Sequence, residues 1–281
     1  MTWLVSALVF WLCAWALNVW LAGSRWRRNL AVRIFVPVLF GVTLLVLWEG
    51  LVRGLGVSPV ILPAPSEVAK VFAASTSTLW EDFNQTVLKG ALSGFLIGAV
   101  AALVTAVLID RSRFLTRGLL PIGNFVAALP IVGIAPILVS WFGFDWQSKA
   151  AVVVVMVFFP ILVNTVQGLH EAGAMQRDLM RTYAAGYWQT LVKLRLPAAM
   201  PFLFNGLKIA STLALIGAIV AEYFGSPTRG MGFRISTGVG SLSIGLVWAE
   251  IAVAALAGTA FYGLVAWAEK RVTFWHPSQR R

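Results

Sequence analysis

The sequence predicts an all-α integral membrane protein with about seven transmembrane helices. Three observations lead there: a composition too apolar for water, apolar windows long enough to span a bilayer, and basic charge gathered between those windows. Of 281 residues, 59% are hydrophobic and only 12% charged, where a soluble domain carries about 25% charged residues. Mean hydropathy is +0.83. Such a chain needs lipid as part of its solvent.

A spanning helix takes about 20 mostly apolar residues. Windows of that kind lie near 3–22, 33–52, 87–109, 119–141, 149–168, 202–222 and 244–268. The first has no charge before its apolar core, and Arg25, Arg27 and Arg28 follow it. A secretory signal has the opposite polarity, so the window reads as an uncleaved helix entering from outside. Between windows lie SRWRRNLAVR, DRSRFLTRG, the segment DLMRTYAAGYWQTLVKLRLPAAMP and the tail EKRVTFWHPSQRR. Placing these in the cytoplasm gives that side about sixteen of the 22 Lys and Arg, counting Lys208 just inside a span and Arg177 just before the third segment, and leaves Arg53, Lys70, Lys89, Lys149, Arg229 and Arg234 on the other. Lys and Arg concentrate on the cytoplasmic side of membrane proteins. The expected orientation is therefore amino terminus outside and carboxyl terminus inside.

After the second window, ILPAPSEVAKVF holds Pro63 and Pro65, which should forbid a helix there, with Ser66 capping a new one from Glu67. Val68, Val71 and Phe72 share a face of that helix, so it is expected along the membrane surface. Gly90, Gly94 and Gly98 recur every four residues. Such a stripe lets two backbones approach, either within the chain or between two copies.

Pro121, Pro130 and Pro136 fall in or beside the fourth window and Pro160 in the fifth. Each leaves a backbone carbonyl without its usual donor, so these spans should line protein or a wet cavity. Asn124, Ser140, Asn164, Gln167, Ser211 and Thr212 lie in or near the same spans, with Trp141 beside them and Glu222 at the end of the sixth. These eight are the candidate translocation pathway. Glu222 is open between a structural hydrogen bond and a gate. Glu250, deeper in the seventh window, suits pairing with a neighbouring helix.

Several function classes drop out. The +11 net charge forms no single patch or RNA-type motif, so no nucleic acid is expected. Cys13 is the only cysteine, and His170 and His276 belong to no metal-binding pair. No catalytic residue, metal site or cofactor site is expected. A membrane enzyme would show a nucleophile elbow or metal motif, and neither is found. A secondary transporter stays as a less favoured alternative, since it would need an ion-coupling site and usually repeated halves, and the sequence shows no clear internal repeat. The chain has no phosphate-binding G-x-x-x-x-G-K-[ST] loop either.

The segment from Asp178 to Pro201 breaks the hydropathy and can form two short helices. Leu179 and Tyr183 share one face, and Leu191 and Arg195 another, with Arg195 as a basic rim. Pro197 should end the second helix or bend the chain. So long a structured connection is a docking surface or an amphipathic element resting on the bilayer.

This segment resembles the cytoplasmic coupling loop of ATP-binding cassette importer permeases of the binding-protein-dependent family. Counting back from Leu196-Pro197 puts Ala184 at the family's glycine position and Asp178 at its glutamate position. Asp178-Leu179-Met180 thus replaces Glu-Ala-Ala, and Gly186 supplies flexibility two residues after the missing glycine. Further blocks, LPAPSEV, APILVSWFGFDWQSK, FFPILVNTVQGL, LPAAMPFLFNGLKIA and GAIVAEYFG, resemble the branch that imports nitrate, taurine, alkanesulfonates and pyrimidine thiamine precursors. WFGFDWQSK and AEKRVTFWHP look most like pyrimidine-precursor and riboflavin permeases.

The resemblance runs from about Arg33 to His276. It implies a six-helix type I importer permease core over residues 31–281, with the coupling loop at about 170–201. Residues 1–30 would be an extra transmembrane helix and basic linker. It further implies that Asp178, Arg181, Tyr183, Ala184, Ala185, Gly186, Trp188, Leu196 and Pro197 couple the chain to an ATPase. The implied partners are a second permease copy or a pseudo-symmetric mate, two ATPase subunits that use ATP and Mg, an extracytoplasmic solute-binding protein, and the lipid of a bacterial inner membrane. Permeases of this kind work by alternating access.

Overall fold

The computed structural model describes residues 2–112, 114–115, 118, 129–225 and 228–276. Among them the secondary structure is helical throughout, without a strand. The helices are α1 (Thr2–Gly23), α2 (Leu30–Gly54), α3 (Pro65–Ala74), α4 (Thr76–Phe83), α5 (Ser93–Arg111), α6 (Ile131–Phe142), α7 (Trp146–His170), α8 (Ala174–Thr182), α9 (Tyr187–Thr190), α10 (Leu196–Gly225), α11 (Met231–Gly240) and α12 (Ile244–Val272). Two wide, π-type stretches interrupt them, Asn84–Leu92 before α5 and Leu191–Arg195 before α10.

Six continuous stretches are long and apolar enough to cross a bilayer: Thr2–Gly23, Leu30–Gly54, Thr76–Arg111, Trp146–His170, Tyr187–Gly225 and Ile244–Val272. They match six of the seven windows. The fourth window shows only the shorter apolar helix α6, because residues 119–128 lie outside the described residues.

The chain divides into two compact units. The first comprises Met1–Ser77 and Thr237–Glu250. In it α1 and α2 run back along each other through a 3-10 turn at Arg25–Arg28, with Ser24 capping the turn and Asn29 capping α2. Ala7, Ala14 and Leu21 are buried at seven-residue spacing, a coiled-coil-like seam. Gly50 lies against Ala7 and Gly54 against Leu4, so any side chain at these glycines would collide with α1.

Helix α3 corrects an expectation. It starts at Pro65 with Ala64 as its N-cap, not at Glu67 behind a Ser66 cap. Proline is well suited to the first helical position, where the missing N–H has no partner in any case. Ser66 is left free to bind elsewhere. Its N–H and hydroxyl donate to Glu49 at 3.0 and 2.7 Å, and Arg53, paired with the same carboxylate, donates to Ser66 Oγ at 2.9 Å.

The second unit comprises Thr78–Ser236 and Ile251–Arg281. Its centre is α7, packed between α5 and α10 around Val153, Val157, Ile161, Leu162 and Ala210. Small residues set these distances. Gly94 lies against Val153 and Gly98 against Val157, while Gly206 meets Pro160 and Ile161 and Gly168 meets Ala199. The stripe that begins at Gly90 is therefore used for packing within the chain. Pro160 lies on the wall of a cavity of about 200 Å³, shared with Ile134, Val155, Met156 and Leu213.

Pro197 does not end a helix. The chain stays helical from Tyr187 to Gly225, because the wide turn at Leu191–Arg195 comes immediately before it. There the Leu196 N–H reaches back five residues, to the Leu191 carbonyl. A widened turn is one of the few helical settings that tolerates a proline ring and its missing donor.

Candidate functional site: a docking loop, its anchor and a buried polar clasp

The loop of the second unit is built by repetition. Helices α8 and α9 each begin with a glycine whose N–H donates to a glutamine side chain three residues on, Gly173 to Gln176 at 3.0 Å and Gly186 to Gln189 at 3.1 Å. This is half of a capping box, and it satisfies donors that a helix start leaves open. Helix α8 ends in a Schellman motif: the Ala184 N–H donates to the Arg181 carbonyl at 2.9 Å and the Ala185 N–H to Met180 at 3.0 Å.

The residue that turns the chain there is Ala184, at φ +51°. Gly186 is extended at φ −69°, so it does not supply the missing glycine's conformation. An L-residue with a Cβ in the left-handed region costs about 1–2 kcal/mol, a cost glycine avoids. Ala184→Gly is therefore expected to stabilise the loop by up to about 1 kcal/mol, after allowing for the freer unfolded chain. Limited proteolysis reads this directly: the variant should be cut more slowly between α8 and α9, and faster cutting would contradict it.

The loop presents an unusual surface. Met175 is 85% exposed, Tyr183 75% and Trp188 58%, with Leu179 and Val192 also exposed. Asp178 and Arg181 pair at 3.0 Å on the same open face. Ala185 and Gly186 lie in the exposed turn, while Leu196 and Pro197 are half-buried where α10 begins.

Beneath the loop sits an anchor that inspection of the sequence missed. Asp110, in the last turn of α5, has a side chain only 1% exposed. It accepts two bonds from the Arg195 guanidinium, at 2.7 and 2.5 Å, and one from the Tyr187 hydroxyl at 3.0 Å. Arg195 Nε donates to the Leu169 carbonyl at 3.0 Å, at the end of α7. Arg195 does share a face with Leu191, but that face is turned inward, so it is no basic rim. One sequence signal pointed this way: a carboxylate near a helix C-terminus is disfavoured by the helix dipole and needs a cation.

A second polar cluster lies at the opposite ends of α7 and α10. Glu222 is fully buried. Its Oε2 accepts from the Thr86 hydroxyl at 2.7 Å and the Gly232 N–H at 3.1 Å, and Thr86 Oγ accepts from the Met231 N–H at 2.8 Å. Asp82 accepts from the Gly230 N–H at 2.7 Å and from Arg234 at 2.8 Å. The backbone wraps Glu222 so closely that a Cβ at Gly230, itself at φ +116°, would enter the carboxylate. Lys149, also fully buried, donates to the carbonyls of Phe144 and Gly225.

The remaining pathway candidates do not form one wall. Asn164 and Gln167 lie on the open side of α7 and Thr212 on that of α10. Between them Asn205, not anticipated, donates to Asn164 Oδ1 at 3.0 Å, and Asn164 donates to the Pro160 carbonyl at 2.8 Å. Ser211 is buried, bonded to the Lys208 carbonyl. Ser140 is exposed on α6, and Trp141 borders a separate apolar groove with Ile97, Phe142 and Trp146. Asn124 lies outside the described residues.

Six apolar stretches long enough to cross a bilayer define a multi-pass membrane protein. Residues 94–274 match the family described as the inner membrane component of binding-protein-dependent transport systems. A probable ABC transporter permease protein of Haemophilus influenzae is 32% identical over 237 residues, covering 84% of this chain and 96% of that protein. The formylaminopyrimidine transport permease protein of Halalkalibacterium halodurans is 34% identical over 201 residues, covering 70% and 78%. The riboflavin transport system permease protein of Chloroflexus aurantiacus is 32% identical over 237 residues, covering 84% and 88%. The chain belongs to this family of inner-membrane permease components.

Proposed function

We propose that this permease works as one half of a symmetric pair, seats two ATPase subunits on the loop at about 170–201, and passes a small uncharged heterocycle handed over by an extracytoplasmic binding protein. The observation that carries the reading is the loop itself. Apolar and aromatic side chains are held out from a firmly anchored scaffold, which is the make-up of a protein-binding hot spot. ATP and Mg would belong to the ATPase subunits. Residues 1–30 act as an added helix on a permease core of 31–281, with the loop in the cytoplasm and the amino terminus outside.

The solute class rests on what the open faces of α7 and α10 offer. They present amides and a hydroxyl, Asn164, Gln167, Asn205 and Thr212. The nearby cations are engaged: Lys208 pairs with Glu269 at 2.7 Å and Lys149 is bonded to carbonyls. These fixed dipoles suit a pyrimidine-type vitamin precursor or a flavin at least as well as a sulfonate. The names of the two vitamin-related relatives point the same way.

The test is uptake by the reconstituted importer, with thiamine-precursor pyrimidine, riboflavin, taurine and nitrate offered separately. A heterocycle should move. Transport of taurine or nitrate with neither heterocycle moving rejects the solute class and leaves the permease assignment intact. In a separate experiment an impermeant thiol reagent, applied to intact cells expressing Cys13-free variants, should label cysteines at Thr2 and Gln147 but not at Ser112 or Gln279. Protection of the Thr2 position while Gln147 reacts would overturn the crossing of the first span.

A further inference from the structure

We propose that Asp110 and Arg195 form the joint through which a displacement of the docking loop is passed to α5 and α7, as positioning residues distinct from the surface that holds the ATPase. The inference rests on reading the loop as the ATPase seat. Its geometric basis is that one guanidinium joins three chain segments. Arg195 belongs to the wide turn after α9, and its two terminal nitrogens take both oxygens of Asp110 at the end of α5. Its third bond goes to the Leu169 carbonyl, among the last acceptors of α7 that have no partner within the helix. Tyr187, the first residue of α9, adds a fourth tie to the same carboxylate.

Each end is chemically committed to this pairing. A fork-shaped guanidinium on a carboxylate fixes both distance and angle, which a lysine does not. Asp110 has almost no exposure to solvent, and at a helix C-terminus it also faces the negative end of the dipole, so separation from Arg195 would leave a buried, doubly disfavoured charge. The loop and the ends of the two helices should therefore move as a single body. The wide turn at Leu191–Arg195, by contrast, lacks ordinary α-helical bonding and is the natural place for α10 to bend relative to that body.

The exposed loop residues and this buried joint have separable jobs, and so the test separates them. Asp110→Asn, Arg195→Lys and Tyr187→Phe are each built into the complete importer with its ATPase and binding protein. Retention of the ATPase through purification reports docking. ATP turnover with and without the binding protein, offered with thiamine-precursor pyrimidine and with riboflavin, reports coupling.

The expected result is full retention of the ATPase with stimulation by the loaded binding protein reduced about tenfold or more in Asp110→Asn, a typical coupling free energy. Arg195→Lys and Tyr187→Phe should show smaller losses of the same kind. If Asp110→Asn fails to accumulate in the membrane, the two milder variants decide the matter. Undiminished stimulation in variants that assemble overturns the proposal. So does loss of docking together with stimulation, since the cluster would then only hold the loop in shape. Failure of the unmodified chain to retain the ATPase counts instead against the docking reading.

Discussion

Tyr183→Glu and Trp188→Glu are each expected to abolish retention of the ATPase while leaving membrane insertion and the fold of the chain unchanged. Both side chains are more than half exposed, so neither holds the core together, and surface substitutions of that kind cost the fold little. In a docked complex the balance reverses. A large aromatic group that fills a pocket on a partner can contribute several kcal/mol, and a carboxylate in its place would be buried without a counter-charge. A loss of about 3 kcal/mol weakens binding more than a hundredfold. The measurement is the amount of ATPase that copurifies with tagged permease. Unchanged copurification in both variants would remove the loop from the interface.

Glu222→Leu is expected to cost the fold more than any other single change discussed here, about 3–5 kcal/mol, because it breaks a buried polar network from one side only. The Thr86 hydroxyl and Gly232 N–H would lose their acceptor in a region closed to water, and the backbone wound around the carboxylate would lose what it winds around. Glu222→Gln keeps one acceptor oxygen and nearly the same shape, so its cost should be about 1–2 kcal/mol. The thermal midpoint of the purified permease in detergent should follow that order, falling by about 10 °C for the leucine variant. A leucine variant as stable as the unmodified chain would mean that the carboxylate is not what clasps residues 230–232. This geometry gives Glu222 a structural bond to hold, one of the two roles open to it from sequence.

Hydropathy made the spans legible, because a helix in lipid must be apolar over its whole length and must satisfy its own backbone. The same reasoning set the glycine stripe apart, though only the packing of Gly94 on Val153 shows which neighbour it serves. Local rules failed where distant partners intervene. Ser66 reads as a helix cap until Glu49, 17 residues earlier, claims its hydroxyl. Arg195 reads as a surface charge until Asp110, 85 residues earlier, turns it inward. Ala184 reads as the residue in the glycine position, but an alanine rarely adopts the left-handed backbone it takes here, so the residue type gives no sign of it. Polarity at depth marks the pathway candidates, and polarity alone cannot separate Asn164, which meets Asn205 on the neighbouring helix, from Ser211, which is fully buried.

The wide stretch at Asn84–Leu92 acts as a fixed angular offset between two halves of one span. Ahead of it and within it, Asp82 and Thr86 point at residues 230–232 and at Glu222; beyond it, Gly94 and Gly98 point at α7. Each residue added to or removed from a helix turns everything downstream by about 100°. Deleting one residue between 84 and 92 would take up the extra width and return the stretch to ordinary winding with its flanks nearly in phase, whereas inserting one would put the clasp and the glycine seam out of phase by about 100°. Only one of the two could then face its partner. Added length in this stretch is therefore under tighter constraint than the identity of its exposed residues: substitutions there, Thr86 of the clasp aside, are expected to be absorbed, and a single-residue insertion is not.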